Sequence, residues 1–551
     1  MEKNKRFLYF FKKNIVSQKG MALLATLIFV FILTTIGIAL LTMTRSDIKL
    51  STLQEESTKA FYLAEAGVER AVNWLELQGT PPSAGDVPSD FDGIHEYGEL
   101  NTGKYTVNLS LDIDPTSLVA DYIIETEGWI IRDDNSKSTR KIETAVRVTN
   151  FAEYAYFSDD ERFPNNSNIS GSSGYVGAKI WFTGNDTIGG KLHTNSELHM
   201  VNVPTFLGKV TSTADTIDFW GDAYAEDGSD FSGFTPPGNY ELDVEEIPLP
   251  QYRNISDLDD ENSLQRIAGG SWSKSDIQAL SDGVYIPSST GIPGSGVTGG
   301  IYIQGDANIE LNVDGSAGTA GPNSEITIVQ GVNTTIITSV MEPIVLPAGS
   351  TLNGAAAGGT TIPANTTLVK KPTGVNVYES YGGINNGLLF IDGSINSLHG
   401  DNHRGKMTIA SNESINVTDN IYYYDRDESK SIFEDDIGAI DDSLGLIAAA
   451  DFVIDRYAPH NIEVDAIIMA LNTSFFYDGW KWDLKGTLSL LGGLIQEARG
   501  PVGTHSAGTK ITGYSKNYNY DTRMANPAGG YLPPYFPTTG QYEKIYWKEV
   551  Y

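Results

Sequence analysis

Carboxylates are the side chains in this sequence best placed to do chemistry. The stretch DRDESKSIFEDDIGAIDD brings Asp425, Asp427, Glu428, Asp435 and Asp436 close together. Calcium takes six to eight oxygen ligands, which clustered acids can supply. Neither this stretch nor DLDDEN has the Gly and terminal Glu of an EF-hand loop. Both read as solvated acidic loops, and a cation site would start from Asp425, Asp427 and Glu428. His193 and His199 lie six residues apart and share a face only if one strand runs unbroken between them. The turn-forming Asn-Ser of HTNSE interrupts that strand and no third ligand is apparent, so structural roles are expected for both. GPVGT has the glycines of a tight turn but not the Lys-Ser/Thr of a phosphate loop. There is no Gly-x-Ser-x-Gly nucleophile elbow. Glycoside chemistry needs two carboxyl groups at a defined separation, which an acid-rich sequence does not specify. The sequence therefore predicts no catalytic residue, no cofactor and no resident metal.

Those residues belong to a chain of 551 residues with 57 glycines, no cysteine and a net charge of −32. That length suggests about two to four domains. Without cysteine there is no disulfide framework and no thiolate metal site, though export remains open to such a chain. The charge is uneven. Lys3, Lys5, Arg6, Lys12, Lys13 and Lys19 oppose only Glu2 in the first twenty residues, so everything beyond is strongly acidic. Phosphate would repel such a body, and nucleic-acid binding is not expected.

From Met21 to Met43 every residue is uncharged and most are large and apolar, which meets the roughly 20 residues needed to cross a bilayer. The basic cluster before it predicts that residues 1–20 stay cytoplasmic and that the chain after Arg45 faces outward. A cleaved secretory signal has an apolar core of only about 7–15 residues. Here helical patterning continues: Phe61, Ala64, Val68, Ala71, Val72 and Leu75 recur at three- and four-residue steps. Gly79, Pro81 and Pro82 then end it. The expectation is one helix over 21–78, with 21–43 in the membrane and the outer half packed on a folded domain.

The basic leader, the junction QKG/MALLATLIFVF and the segment AFYLAEAGVERAVNWL together resemble the N-terminus of type IV pilins, most closely minor pilins of the PilX type. The resemblance covers about the first 80 residues. It implies a prepilin peptidase that cuts between Gly20 and Met21. It also implies partnership with other pilins and the pilus assembly machinery, and packing through the segment that holds Phe61, Glu65 and Val68. Major pilins carry Glu at the fifth mature position, where this chain has Ala25, and that departure implies an initiating or tip subunit. A plain uncleaved membrane anchor is the bland alternative.

After a Pro/Gly/Asp-rich loop, the runs KYTVNLSLDI, DYIIETEGWIIRD and STRKIETAVRVT alternate apolar and polar residues, as half-buried antiparallel strands do. Residues 79–150 are thus expected to form a small sheet on the helix, the α+β layout of a pilin. Residues 151–551 change character, with short β-rich runs, frequent Gly and scarcely any helical period. Ile447, Ile468 and Leu490 recur at a step of about 21–22 residues, a plausible solenoid rung. The expected fold is a right-handed parallel β-helix with insertions near 222–285 and 310–380, and a β-sandwich is the runner-up. The segments KIWFTGNDTIGGKLHTNSELHM, PTFLGKVTST and GGLIQEARGPVGTH also resemble an uncharacterised domain family found behind pilin-like N-termini. The aromatic C-terminal end (YSKNYNY, YLPPYFP, YEKIYWKEVY) either caps the last rung or stacks on a surface glycan. The functional expectation is a structural or adhesive minor-pilin-like subunit, held in the cytoplasmic membrane with its body outside and reaching the cell surface or pilus after processing. A membrane-anchored carbohydrate-active enzyme is the rival.

Overall fold

The computed structural model describes residues 18–77, 91–97, 101–113, 120–132, 134–221, 224–250, 255–260, 262–287, 300–315, 322–383, 385–426, 440–506, 509–525 and 530–550. A long N-terminal helix is followed by a large β-rich region with many strands. The chain divides into two units. The first holds residues up to 112, 121–147 and 542–551; the second holds 113–120 and 148–541.

In the first unit, helix α1 runs unbroken from Gln18 to Glu76, 59 residues and about 90 Å at 1.5 Å per residue. Strands β1 (Phe91–Tyr97), β2 (Asn101–Ile113), β3 (Ala120–Ile131) and β4 (Lys137–Asn150) lie side by side in that order. β1 is antiparallel to β2, and β3 to β4. The alternation read from the sequence holds: Tyr105, Val107 and Leu109 of β2 and Ile142, Thr144 and Val146 of β4 are buried. The fifth strand is Thr538–Val550, beside β4, where the Thr144 hydroxyl donates to the Tyr546 carbonyl at 2.6 Å. The sequence reading places this stretch with the body at 151–551, whereas residues 542–551 belong to the first unit. The reason lies in its pattern: Tyr542 meets Tyr122 and Trp547 meets Phe61, so its aromatics cover the sheet and helix instead of capping a rung.

The outer half of α1 buries Ala60, Leu63, Ala64, Gly67, Val68, Ala71 and Leu75, steps of three and four that keep one face on the sheet. Phe61 and Val72, assigned to that stripe by sequence, flank it and are half-buried. Small residues set the spacing. A Cβ added at Gly128 of β3 would stand 2.3 Å from the Ala60 carbonyl oxygen and 2.5 Å from the Ala64 nitrogen. At Gly67 a Cβ would meet Val107, Thr126 and Tyr105 at 3.0–3.2 Å. A mid-helix glycine costs about 1 kcal/mol relative to Ala, and here it allows the helix to lie close on the sheet. Arg132 reaches back to Glu56 at 2.6 Å, and Arg140 to Ser57 at 2.8 Å.

The second unit is built on a 26-stranded sheet whose core ladders are parallel. Ile301, Leu389, Ile409, Leu446, Ile468, Leu494, Tyr156, Leu192 and Val210 oppose one another in succession, each at most 2% exposed. A second parallel row joins Ala307, Ile395, Ile415, Phe452 and Phe475. A third joins Ile421, Val464, Leu490, Tyr518, Ile188 and Phe206. The residues spaced at 21–22 do not stack as the sequence suggests. Ile447 faces Met469, Ile468 faces Leu494, and Leu490 faces Val464. The 22-residue step itself holds one position away, with Leu446 against Ile468, and lengthens to 26 from Ile468 to Leu494, which lies on the 15-residue strand Leu484–Ala498 that runs through two rows.

The rows also break chain order. Leu494 pairs with Tyr156, so the strand Tyr154–Asp160 sits against a strand more than three hundred residues later. Side chains reinforce the joint: Gln496 donates to the Tyr156 hydroxyl at 3.2 Å, and Arg499 meets Glu161 at 2.6 Å with both side chains buried. Of the two expected insertions, the one near 222–285 carries the short helices Leu264–Gly269 and Lys274–Gln278. The other, near 310–380, is largely an antiparallel meander that continues from Ala307–Val313 through Ser324–Gln330, Asn333–Val340 and Thr366–Lys370 to Val377–Gly382.

Gly128→Ala tests the close approach of helix and sheet. Overpacking there is expected to lower the stability of the first unit by about 1–3 kcal/mol, read as a lower urea midpoint in detergent. An unchanged midpoint would mean that the helix does not lie on β3.

Candidate functional site

Gly20 and Met21 occupy the first turns of α1, and residues 1–17 of the leader lie outside the described residues. From Met21 onward the helix is bare: Leu23, Leu27, Phe29, Phe31 and Leu41 are each more than 60% exposed, and Ala25 is exposed with them. It is the one helix among the described residues long and apolar enough to cross a membrane. The polar atoms of this half are satisfied internally. The hydroxyls of Thr26, Thr34, Thr35 and Thr42 donate to the carbonyls of Leu23, Val30, Ile32 and Ala39 at 2.5–2.8 Å. A helix that bonds its own hydroxyls asks nothing of water. Further along, Val68 is buried, while Phe61 and Glu65 are half-buried beside the stripe.

The candidate cation loop is only partly brought together. Asp427, Glu428, Asp435 and Asp436 lie outside the described residues. Asp425 does sit in an acidic group, with two residues the sequence reading passed over, Asp441 and Asp442. Asp442 is buried and accepts from the Gly405 N–H at 2.7 Å, but its other oxygen has no hydrogen-bond partner among the described residues. Burial raises its carboxyl to about 7, with Asp425 and Asp441 adding like charge.

The two histidines part company. His193 lies on the strand Lys191–Thr194 and His199 on Leu198–Val201, strands of different sheets with a bend between them. His193 is a satisfied core residue: Nδ1 meets Thr211 Oγ1 and Nε2 meets Asn195 Oδ1, both at 2.8 Å. His199 is buried and has no hydrogen bond at either ring nitrogen among the described residues. Of the aromatic C-terminal segments, YSKNYNY is not a free platform, since Tyr514, Tyr518 and Tyr520 are buried, whereas Tyr546 and Trp547 of YEKIYWKEVY are exposed.

The family described as a domain of unknown function, DUF4900, matches residues 122–214, well under half of the chain. The match takes in KIWFTGNDTIGGKLHTNSELHM and PTFLGKVTST, while the closing GGLIQEARG lies outside it. No curated protein matches the sequence. Among solved structures, the competence-associated pilin ComZ from Thermus thermophilus is similar at 10% identity, over 90% of this chain and 98% of that one, with a TM-score of 0.27. At that score the likeness carries no argument about this fold.

Asp442 gives a pH test with a fixed sign. Its carboxyl is raised above the ordinary value near 3.8 to about 7. The wild type is therefore fully stable at this site below about pH 4 and loses stability as pH rises toward 7. Asp442→Asn keeps an acceptor oxygen for Gly405 and never ionises. With a chelator present, its advantage in unfolding free energy is expected to grow from nothing at pH 4 to a few kcal/mol at pH 7, at about 1.4 kcal/mol per unit. A difference independent of pH would contradict the raised value.

Proposed function

We propose that the chain is a minor-pilin-like structural subunit, anchored in the cytoplasmic membrane by residues 21–43, with a β-rich body displayed outside. The observation that carries this reading is the change of surface along α1. It is apolar on every side over 21–43, and single-striped over 60–75, where a sheet covers it. A segment that exposes large apolar side chains on all faces is at home in lipid or among like helices, not in water. The same segment serves both settings, first as anchor and then as packing element in an assembly.

Processing by a prepilin peptidase between Gly20 and Met21 belongs to this reading, as does association with other pilins. In apolar surroundings a free N-terminal ammonium is costly unless a carboxylate pairs with it. Ala25 offers a neighbour no such carboxylate, which favours a scarce position at one end of an assembly. The body is read as a parallel β-helix with insertions, supported by the three parallel rows of buried side chains. Its rungs would not follow chain order, because Tyr154–Asp160 enters beside Leu484–Ala498. The carbohydrate-active alternative has no observation in its favour: a cavity beside Tyr156, Arg499 and Lys516 offers about 10 Å³, room for a single water molecule.

Intact mass of the protein taken from its native membrane tests the processing step. The wild type is expected to lack residues 1–20, and Gly20→Leu to retain them while staying in the membrane. Antibody against the body should then label filament ends or the cell surface. A wild-type mass that includes the leader would leave the plain anchor as the better reading, and regular labelling along a shaft would overturn the end position.

A further inference from the structure

His199 is the least explained polar residue in the body. It is 1% exposed, its Nδ1 and Nε2 have no hydrogen-bond partner among the described residues, and desolvation lowers its pKa. A buried imidazole without partners costs stability. It lies in the middle strand of a three-stranded parallel sheet, Leu198–Val201, between Phe182–Thr183 and Ile217–Phe219. On the neighbouring strand, Asp218 stands directly opposite it. Glu197 stands two residues before it, at the residue just ahead of the strand, with its carboxylate beside the ring.

One nitrogen of His199 and one oxygen each of Glu197 and Asp218 lie within 4.8 Å of one another. His199 Nε2 is 3.4 Å from Glu197 Oε2, without hydrogen-bond geometry. That separation is about the edge of a tetrahedron with ligand bonds near 2.1 Å, the length of Zn–N and Zn–O bonds. The pair of carboxylates already holds a cation. Lys179 Nζ bridges Asp218 at 2.5 Å and Glu197 at 3.0 Å, from a side chain 37% exposed. Trp181 packs on the imidazole and on Trp220, fixing the ring and leaving the carboxylate side toward solvent. The nearby Arg499 is matched by Glu161 and does not claim the site.

We propose that Glu197, His199 and Asp218 form a binding site for a zinc-class divalent cation, with the Lys179 ammonium standing in for the metal when none is bound. One imidazole and two carboxylates suit zinc, and three protein ligands leave a fourth position to water or to a partner's side chain. Calcium and magnesium, which take oxygen ligands in larger number, fit it poorly. The ion would staple adjacent strands of the body and stabilise it in proportion to its concentration over its Kd.

The test uses the untagged full chain in detergent, stripped with chelator and titrated with Zn²⁺ by calorimetry. One ion per chain is expected, with binding at least tenfold weaker in Glu197→Gln and in Asp218→Asn, whose side chains are partly exposed and whose folding should be unchanged. Lys179→Met removes the competing ammonium and is expected to tighten binding severalfold, an effect no structural role for these residues would give. Co²⁺ in place of Zn²⁺ should show the visible bands of a four-coordinate site, absent in His199→Gln. If the wild type takes up no more zinc than the double variant Glu197→Gln, Asp218→Asn, the proposal is overturned.

Discussion

One continuous helix must satisfy two different surroundings, and the first unit follows from that constraint. Over 21–43 α1 offers apolar side chains on all sides and returns its threonine hydroxyls to its own carbonyls. Over 60–75 it offers a single stripe, and the sheet is shaped to it, down to Gly128 where the backbones nearly touch. Leu63, Val68 and Leu75 each contribute about 1.5–3 kcal/mol when fully buried. The outer half is thus held by its own domain, and the inner half depends on whatever surrounds it.

The sheet on that helix is completed from the far end of the sequence, since Thr538–Val550 lies beside β4. The body shows the same habit, because Tyr156 pairs with Leu494 and Glu161 with Arg499. Both units therefore close through pairings between residues hundreds of positions apart. Pairings so distant in sequence carry a loop-closure entropy that nearest-neighbour strand pairings avoid, and they slow folding. Buried ion pairs at the joint add orientation more than net stability, but losing one partner would strand the other charge.

The long helix was legible in the sequence because an uncharged run and a three-four stripe are each strong local signals. β2, β3 and β4 were legible for a like reason, the alternation seen in Tyr105, Val107 and Leu109. Ala60 and Gly67 escaped the stripe because such small residues carry little hydropathy, although their size is what lets the helix lie close; Leu63 escaped it because the stripe was phased on Phe61 and Val72, which flank the buried face. The C-terminal strand was missed since nothing local in YEKIYWKEVY names β4 as its neighbour. The expected spacing holds between Leu446 and Ile468, a step of 22, and lengthens to 26 at Leu494, on the long strand that serves two rows. His199 looked structural because its candidate ligand Asp218 is brought opposite only by the register of two parallel strands. Of the acids read as a loop, Asp425 lies beside Asp441 and Asp442, which only the fold brings near it, while Asp427 and Glu428 lie outside the described residues.

The surroundings of the bare half of α1 are the central claim, and the absence of cysteine makes them directly measurable. Thr34→Cys sits in the middle of the apolar run and Ser46→Cys just beyond it, and each would be the sole thiol of the chain. In intact cells exposed to a membrane-impermeant maleimide, the account expects Ser46→Cys to be labelled and Thr34→Cys to react only after detergent. Prompt labelling of Thr34→Cys in intact cells would contradict it.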